Sequence, residues 1–242
     1  MEEEIVEIEK VEEIEVKREI DEIEEKEDKE DKKKRCNQQQ INGNDFERKT
    51  DNLERLLEKG FTMKYIQNKY KKDKCYHYLV KRIEKRIENR VENPISSMAS
   101  SESSSETMET MVYFTQECFV AYFGHFFQKK MFRKPDEAYL FVDDDNSKYR
   151  LKILEKKSQK VPGSNIEKLE TGVYKKQEMQ SCLGPDFQVS YAYCLCNYLK
   201  DQYLKNTEKF IFLRNYNKEH DIHVLFGEEE DYFSKLDAWI HS

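Results

Sequence analysis

Residues 135–159 read PDEAYLFVDDDNSKYRLKILEKKSQ. The run 138–142 is short, apolar and aromatic, as a strand requires. The stretch 143–147 (DDDNS) is a turn, because Asp, Asn and Ser bond their own backbone and tolerate tight dihedral angles. From Tyr149 to Lys157 the chain alternates, with Tyr149, Leu151, Ile153 and Glu155 sharing one face. A β-hairpin is therefore expected. Asp136 enters its first strand, and Glu155 and Lys157 end its second. Being two residues apart, Glu155 and Lys157 share a face.

Two carboxylates and an ammonium at a sheet rim suit metal-assisted phosphodiester cleavage. Asp136 and Glu155 can offer oxygens to Mg²⁺, a hard cation that keeps several waters. Such an ion polarises a phosphate and lowers the pKa of bound water. Lys157 is the group to orient that water or to neutralise charge as the phosphorane forms. Glu-x-Lys alone carries no information in this chain, since it recurs at Glu15/Lys17, Glu24/Lys26, Glu27/Lys29 and Glu30/Lys32. The signal is its combination with Pro-Asp, a strand, a turn and an alternating strand.

Pro135-Asp136, eighteen intervening residues and then Glu155-Lys156-Lys157 resemble the PD-(D/E)XK superfamily, that of the restriction endonucleases. The run ILEKKSQKVPGSNIEKL is also similar to hypothetical nucleases of large DNA viruses. The resemblance covers roughly residues 112–242. It implies an α/β (α+β) fold with a restriction-endonuclease-like αβββαβ core, and a Mg²⁺-dependent DNA endonuclease in which Mn²⁺ substitutes. Asp136 and Glu155 would ligate the metal, Lys157 would position water, and Gln159 would stay near the centre on the Glu155 strand face. An acidic residue on the first helix often assists in such folds, and Glu117 is the candidate, with Gln116 beside it. The serine of the Gly163-Ser164 turn can meet a phosphate or simply cap a helix. A homodimer is a further implication, since many such enzymes cut as dimers. The alternative is a non-catalytic DNA-binding or regulatory protein on the same scaffold.

The composition frames these expectations. Of 242 residues, 38% are charged and 37% hydrophobic, with few Gly and Pro. No apolar run approaches the ~18 residues of a membrane span, and MEEEIVEIE has neither the basic nor the apolar region of a secretory signal. An intracellular location is expected, cytoplasmic or nuclear, and on the viral resemblance in the host cell of a large DNA virus. The six cysteines form no CxxC pair, which fits free thiols better than zinc. The net charge of −7 is unevenly spread. Residues 1–31 hold seventeen acidic and five basic side chains, whereas residues 47–90 hold fourteen basic and seven acidic. A basic body with an acidic tail is compatible with a nucleic-acid partner.

Four segments are predicted. Residues 1–45 are an acidic Glu/Lys tract and linker, disordered or marginally helical, which as an acidic arm would shield the basic surface. Residues 46–91 are predicted as a basic helical module, with helices near 51–59 and 62–70 and a third from about residue 73. Short helix, Gly-containing turn and longer basic helix resemble a helix-turn-helix, with Lys74, His77, Lys81, Arg82 and Lys85 toward phosphates. A charged bundle with a solvated face has the same pattern. Residues 92–110 are a Ser/Glu-rich linker. Residues 111–242 are the nuclease-like domain. There a core aromatic helix is expected over 111–132, a helical or irregular stretch over 174–182, strands at 187–193, 209–215 and 222–226, and helices at 194–204 and 229–241.

Overall fold

The structure, a computed structural model, describes residues 45–67, 75–84, 108–143, 148–160 and 165–242. The chain divides into two compact units, Met1–Asp45 and Phe46–Ser242. Only the second is described below. The expectations for the acidic tract, the linker at 92–107 and the turn at 144–147 lie outside the described residues.

Unit two is a mixed α/β structure built on one seven-stranded sheet whose spatial order follows the chain. A short helix α1 (Leu53–Glu58) precedes strands β1 (Thr62–Gln67), β2 (Cys75–Glu84) and β3 (Met108–Phe114). Helix α2 (Gln116–Phe126) leads to the hairpin strands β4 (Glu137–Asp143) and β5 (Tyr149–Lys157). Helical turns at α3 (Asn165–Lys168) and Leu169–Thr171 run into α4 (Gly172–Leu183), then β6 (Phe187–Leu195). Helices α5 (Asn197–Tyr203) and α6 (Glu208–Glu219), strand β7 (Ile222–Phe226) and helix α7 (Tyr232–Ile240) complete the chain. Strands β1 to β5 are antiparallel neighbours, while β5, β6 and β7 run parallel. Parallel neighbours need crossovers, which α3–α4 and α5–α6 supply.

The burial pattern explains the centre of the sheet. Leu151, Lys152, Ile153 and Leu154 are consecutively buried on β5, and Tyr191 to Leu195 on β6. Strands covered on both faces read as continuous runs rather than alternation. The edge strand β1 buries only Ile66. Helix α2 lays Phe119, Tyr122 and Phe123 against Phe114, and the aromatic contacts extend through Phe127 to Tyr149 and Phe187.

Three expectations are corrected. Residues 62–67 and 75–84 are strands, not the second and third helices of a helical module, and β2 pairs with β3. The alternation Tyr76, Tyr78, Val80 outweighs the spacing of Leu79, Ile83 and Ile87, because β3 needs an antiparallel neighbour; Leu79 lies opposite Tyr113 and is fully buried. Residues 108–114 are strand before the aromatic helix begins, since Met111 to Phe114 are buried one after another. Residues 209–215 lie in α6, whose buried Phe210, Leu213 and Asn217 keep helical spacing. A short apolar run does not separate strand from helix by periodicity alone. Here the crossover to a parallel β7 decides it.

The segment before β1 is fastened to the far end of the chain. Gly227 follows β7 and donates its N–H to Leu195 O at 2.9 Å. A Cβ on Gly227 would lie 2.6 Å from Thr50 Cγ2, 2.7 Å from Cys194 Sγ and 2.9 Å from Phe46 Cζ, so only glycine lets this turn seat. Asp237 of α7 is gripped by Arg55 and, at 2.8 Å, by Lys59. Burial raises the Asp237 carboxyl, but the two cations outweigh it and hold it below its usual range. A depressed folded-state pKa stabilises above the unfolded value near 3.9, and the gain is lost as pH falls through the folded pKa. Asp237→Asn is therefore expected to cost about 1 kcal/mol or less near neutrality, as suits a partly exposed cluster. Denaturant unfolding of the two proteins should converge as pH falls through the depressed Asp237 pKa. A difference that persisted at low pH would show that Asp237 acts by packing.

Candidate active site

The β4–β5 register pairs Glu137 with Leu154, which sets Asp136 abreast of Glu155 at the sheet rim. Asp136 Oδ2 accepts the Lys156 amide N–H at 2.7 Å. Glu155 and Lys157 share the face that Asp136 borders. The Lys157 ammonium lies 2.7 Å from Glu155 Oε2 and 4.0 Å from Asp136 Oδ2, bridging the two carboxylates. All three side chains are partly buried.

The two carboxyls differ in their surroundings. Burial pushes Asp136 up, opposed by Lys157 and the Lys156 amide and reinforced by Glu155. Burial also acts on Glu155, but Lys157 and Lys175 overcome it and hold that carboxyl below its usual range. Lys175 comes from α4, with Nζ 3.4 Å from Glu155 Oε2. Burial lowers its pKa, with Glu155 opposing. Lys175 is not among the candidates drawn from the sequence. No local pattern marks it, because the crossover helix brings it in.

The strand's other face is structural. Lys156, between Glu155 and Lys157, points into the interior and pairs with Glu137 at 2.7 Å, with side-chain exposures of 5% and 1%. Tyr139 donates its hydroxyl to Glu137, and the Asn52 N–H reaches Glu137 Oε1 at 3.3 Å. Lys156 Nζ also donates to Glu47 O at 3.4 Å. The Glu47 carboxyl is raised by partial burial and by the negative charge of Asp136, so a third carboxylate approaches the site from the helical segment before α1. Glu47 fell within the segment read as helical module and was not singled out.

The other named residues are scattered. Glu117 turns outward and pairs with Lys134 at 2.6 Å, while its neighbour Gln116 faces Asp136, with Nε2 3.5 Å from Oδ1. Gln159 follows β5 and is held by its backbone, its N–H and carbonyl each 3.3 Å from Cys196 Sγ. Lys81 and Arg82 lie on strand β2, and Lys81 Nζ caps Lys59 O at 2.5 Å. His77 is also on β2. Lys74, Lys85 and Ser164 lie outside the described residues.

Among the described residues no three His, Cys, Asp or Glu side chains converge closely enough to hold a metal by themselves. Asp136 and Glu155 nevertheless fit Mg²⁺, which is commonly held by one or two carboxylates, waters and substrate phosphate. A buried polar atom adds to that fit. The Tyr191 hydroxyl, on β6 and within electrostatic range of Glu155 and Asp136, has no hydrogen bond of normal geometry. It can serve a water in the carboxylate pocket. Among the described residues no helix is long and apolar enough to cross a membrane. No protein-family model matches the chain, and no curated protein matches it.

Proposed function

We propose that this protein is a metal-dependent DNA endonuclease of the restriction-endonuclease-like type, which hydrolyses phosphodiester bonds at Asp136, Glu155 and Lys157. The observation that carries this is one ammonium bridging two carboxylates on adjacent strand ends. The surrounding topology supports it. Three antiparallel strands, β3 to β5, are followed by a crossover helix and by β6 parallel to β5. The order departs from the αβββαβ of the resemblance in that α2 lies between β3 and β4.

Asp136 and Glu155 would hold Mg²⁺ or Mn²⁺. The ion, when bound, supplies Lewis-acid polarisation of the phosphate and an acidified water. Glu155 would be shared between Lys157 and that ion, and the Lys157 ammonium would orient the attacking water. Lys175, the second ammonium at Glu155, would offset charge as it builds on the phosphate oxygens. The Lys156 amide fixes the orientation of Asp136. DNA is the partner, and a homodimer belongs to the same proposal.

A second reading, a DNA-binding protein without catalysis, is favoured by one observation: Glu155 already holds two ammoniums. Incubation with supercoiled plasmid, single-stranded DNA and branched DNA separates the two. Nicking or fragmentation with Mg²⁺ that EDTA stops is the expected result. Binding to these DNAs with no cleavage of any would overturn the nuclease assignment.

A further inference from the structure

The approach to the carboxylates combines cations with exposed aromatic rings. Residues 130–136 read KMFRKPD and lead directly into Asp136. Phe132 is 68% exposed, with the Lys130 ammonium 5.8 Å from its ring centroid. Tyr174, one residue before Lys175 on α4, is 62% exposed. The Arg133 guanidinium lies 5.9 Å from the Tyr174 ring centroid. Arg133 is anchored by Glu178, one helical turn beyond Tyr174, and the Glu155 charge is felt at its guanidinium.

Large aromatic rings left this open give up the free energy of burial. Cations placed over them keep them in a fixed pose rather than collapsed onto the core. A nucleobase is the ligand that uses both parts, since its face stacks on the ring and its phosphate meets the cation. Within a duplex both faces of each base are occupied by neighbouring base pairs. Only an unpaired nucleotide has a face to offer.

We propose that the site takes a single-stranded segment, with a base stacked on Tyr174 beside Arg133 and the adjoining phosphate directed to Lys175 and the carboxylates. Phe132 with Lys130 offers a second ring along the same approach. This rests on the nuclease reading and names its substrate class.

The test is fluorescence anisotropy of the full chain in EDTA, so that binding is read without cleavage. Three labelled probes of equal length are compared: oligothymidylate, the same strand with abasic units throughout, and a duplex. Oligothymidylate is expected to bind tightest, because the abasic strand keeps the phosphates and loses the bases. Tyr174→Ala should weaken oligothymidylate binding by about 5- to 150-fold, the range of one base–aromatic stack. It should leave the abasic strand unaffected, and Tyr174→Phe should retain the preference. Equal binding of the abasic strand and oligothymidylate, or a duplex preference, would overturn the stacking proposal. With Mg²⁺-dependent cleavage of plasmid still observed, the nuclease assignment would survive that result. Single-strand preference without cleavage on any DNA would uphold the stacking and overturn the nuclease assignment.

Discussion

Glu155→Gln is expected to lower the rate of Mg²⁺-dependent cleavage by about 10²- to 10³-fold, the range for removing one electrostatic partner of a reacting centre. The substitution keeps the shape and removes the charge. Lys175 loses its ion-pair partner and Lys157 keeps Asp136 at 4.0 Å, yet each reaches solvent in part, so the fold should hold. Asp136→Asn should do the same to cleavage. DNA affinity should be unchanged or higher in both variants, because a negative charge facing phosphate has gone. Cleavage rates, anisotropy and circular dichroism on the same preparations check this. A variant that cut at the wild-type rate would remove Glu155 from the metal site. One that lost DNA binding while folded would give it a binding role instead.

Lys156→Ala is expected to cost about 3–5 kcal/mol of folding free energy, read from guanidinium unfolding. Its ammonium is the cationic partner of Glu137 within a side-chain pair almost wholly removed from solvent. Burial raises the Glu137 carboxyl, and Lys156 is the largest influence holding it down. Without the lysine a carboxylate remains in the interior facing Tyr139 and the Asn52 amide, with no cation beside it among these partners. Replacing both members with apolar groups, as in Glu137→Leu with Lys156→Met, should recover most of the loss. A single Lys156→Ala variant as stable as the wild type would mean that Glu137 is protonated and content in the folded protein. The neighbouring Lys157→Ala should show the opposite profile, with little loss of stability and a large loss of cleavage.

The contrast between Lys156 and Lys157 also shows what could be read from the chain. Alternation along residues 149–157, with a turn of Asp, Asn and Ser before it, is a local pattern, and β5 has the expected bounds. Strand β7 matches its expected residues, and α7 lies within the expected closing helix. Strands β1 and β2 were illegible because their apolar residues also satisfy helical spacing, and what decides between the two is β3, far along the chain. The gathering of Asp136, Glu155 and Lys157 follows from strand register. Gln116 rather than Glu117 faces Asp136 because adjacent helical residues point about 100° apart, and that phase is set by packing of Phe119 and Phe123. Lys175 and Glu47 arrive from other elements, so no spacing announced either of them.

The seating of Phe46 and Thr50 against Gly227 bears on the protein while it is being made. A ribosome delivers the hairpin carrying Asp136 and Glu155 long before it delivers residue 227. Until then the helical segment bearing Glu47, whose carbonyl accepts a hydrogen bond from Lys156, lacks the seat that Gly227 gives Phe46 and Thr50. An unfinished chain therefore presents the carboxylates without their full frame. The candidate centre gains its full frame only once residue 227 has been added.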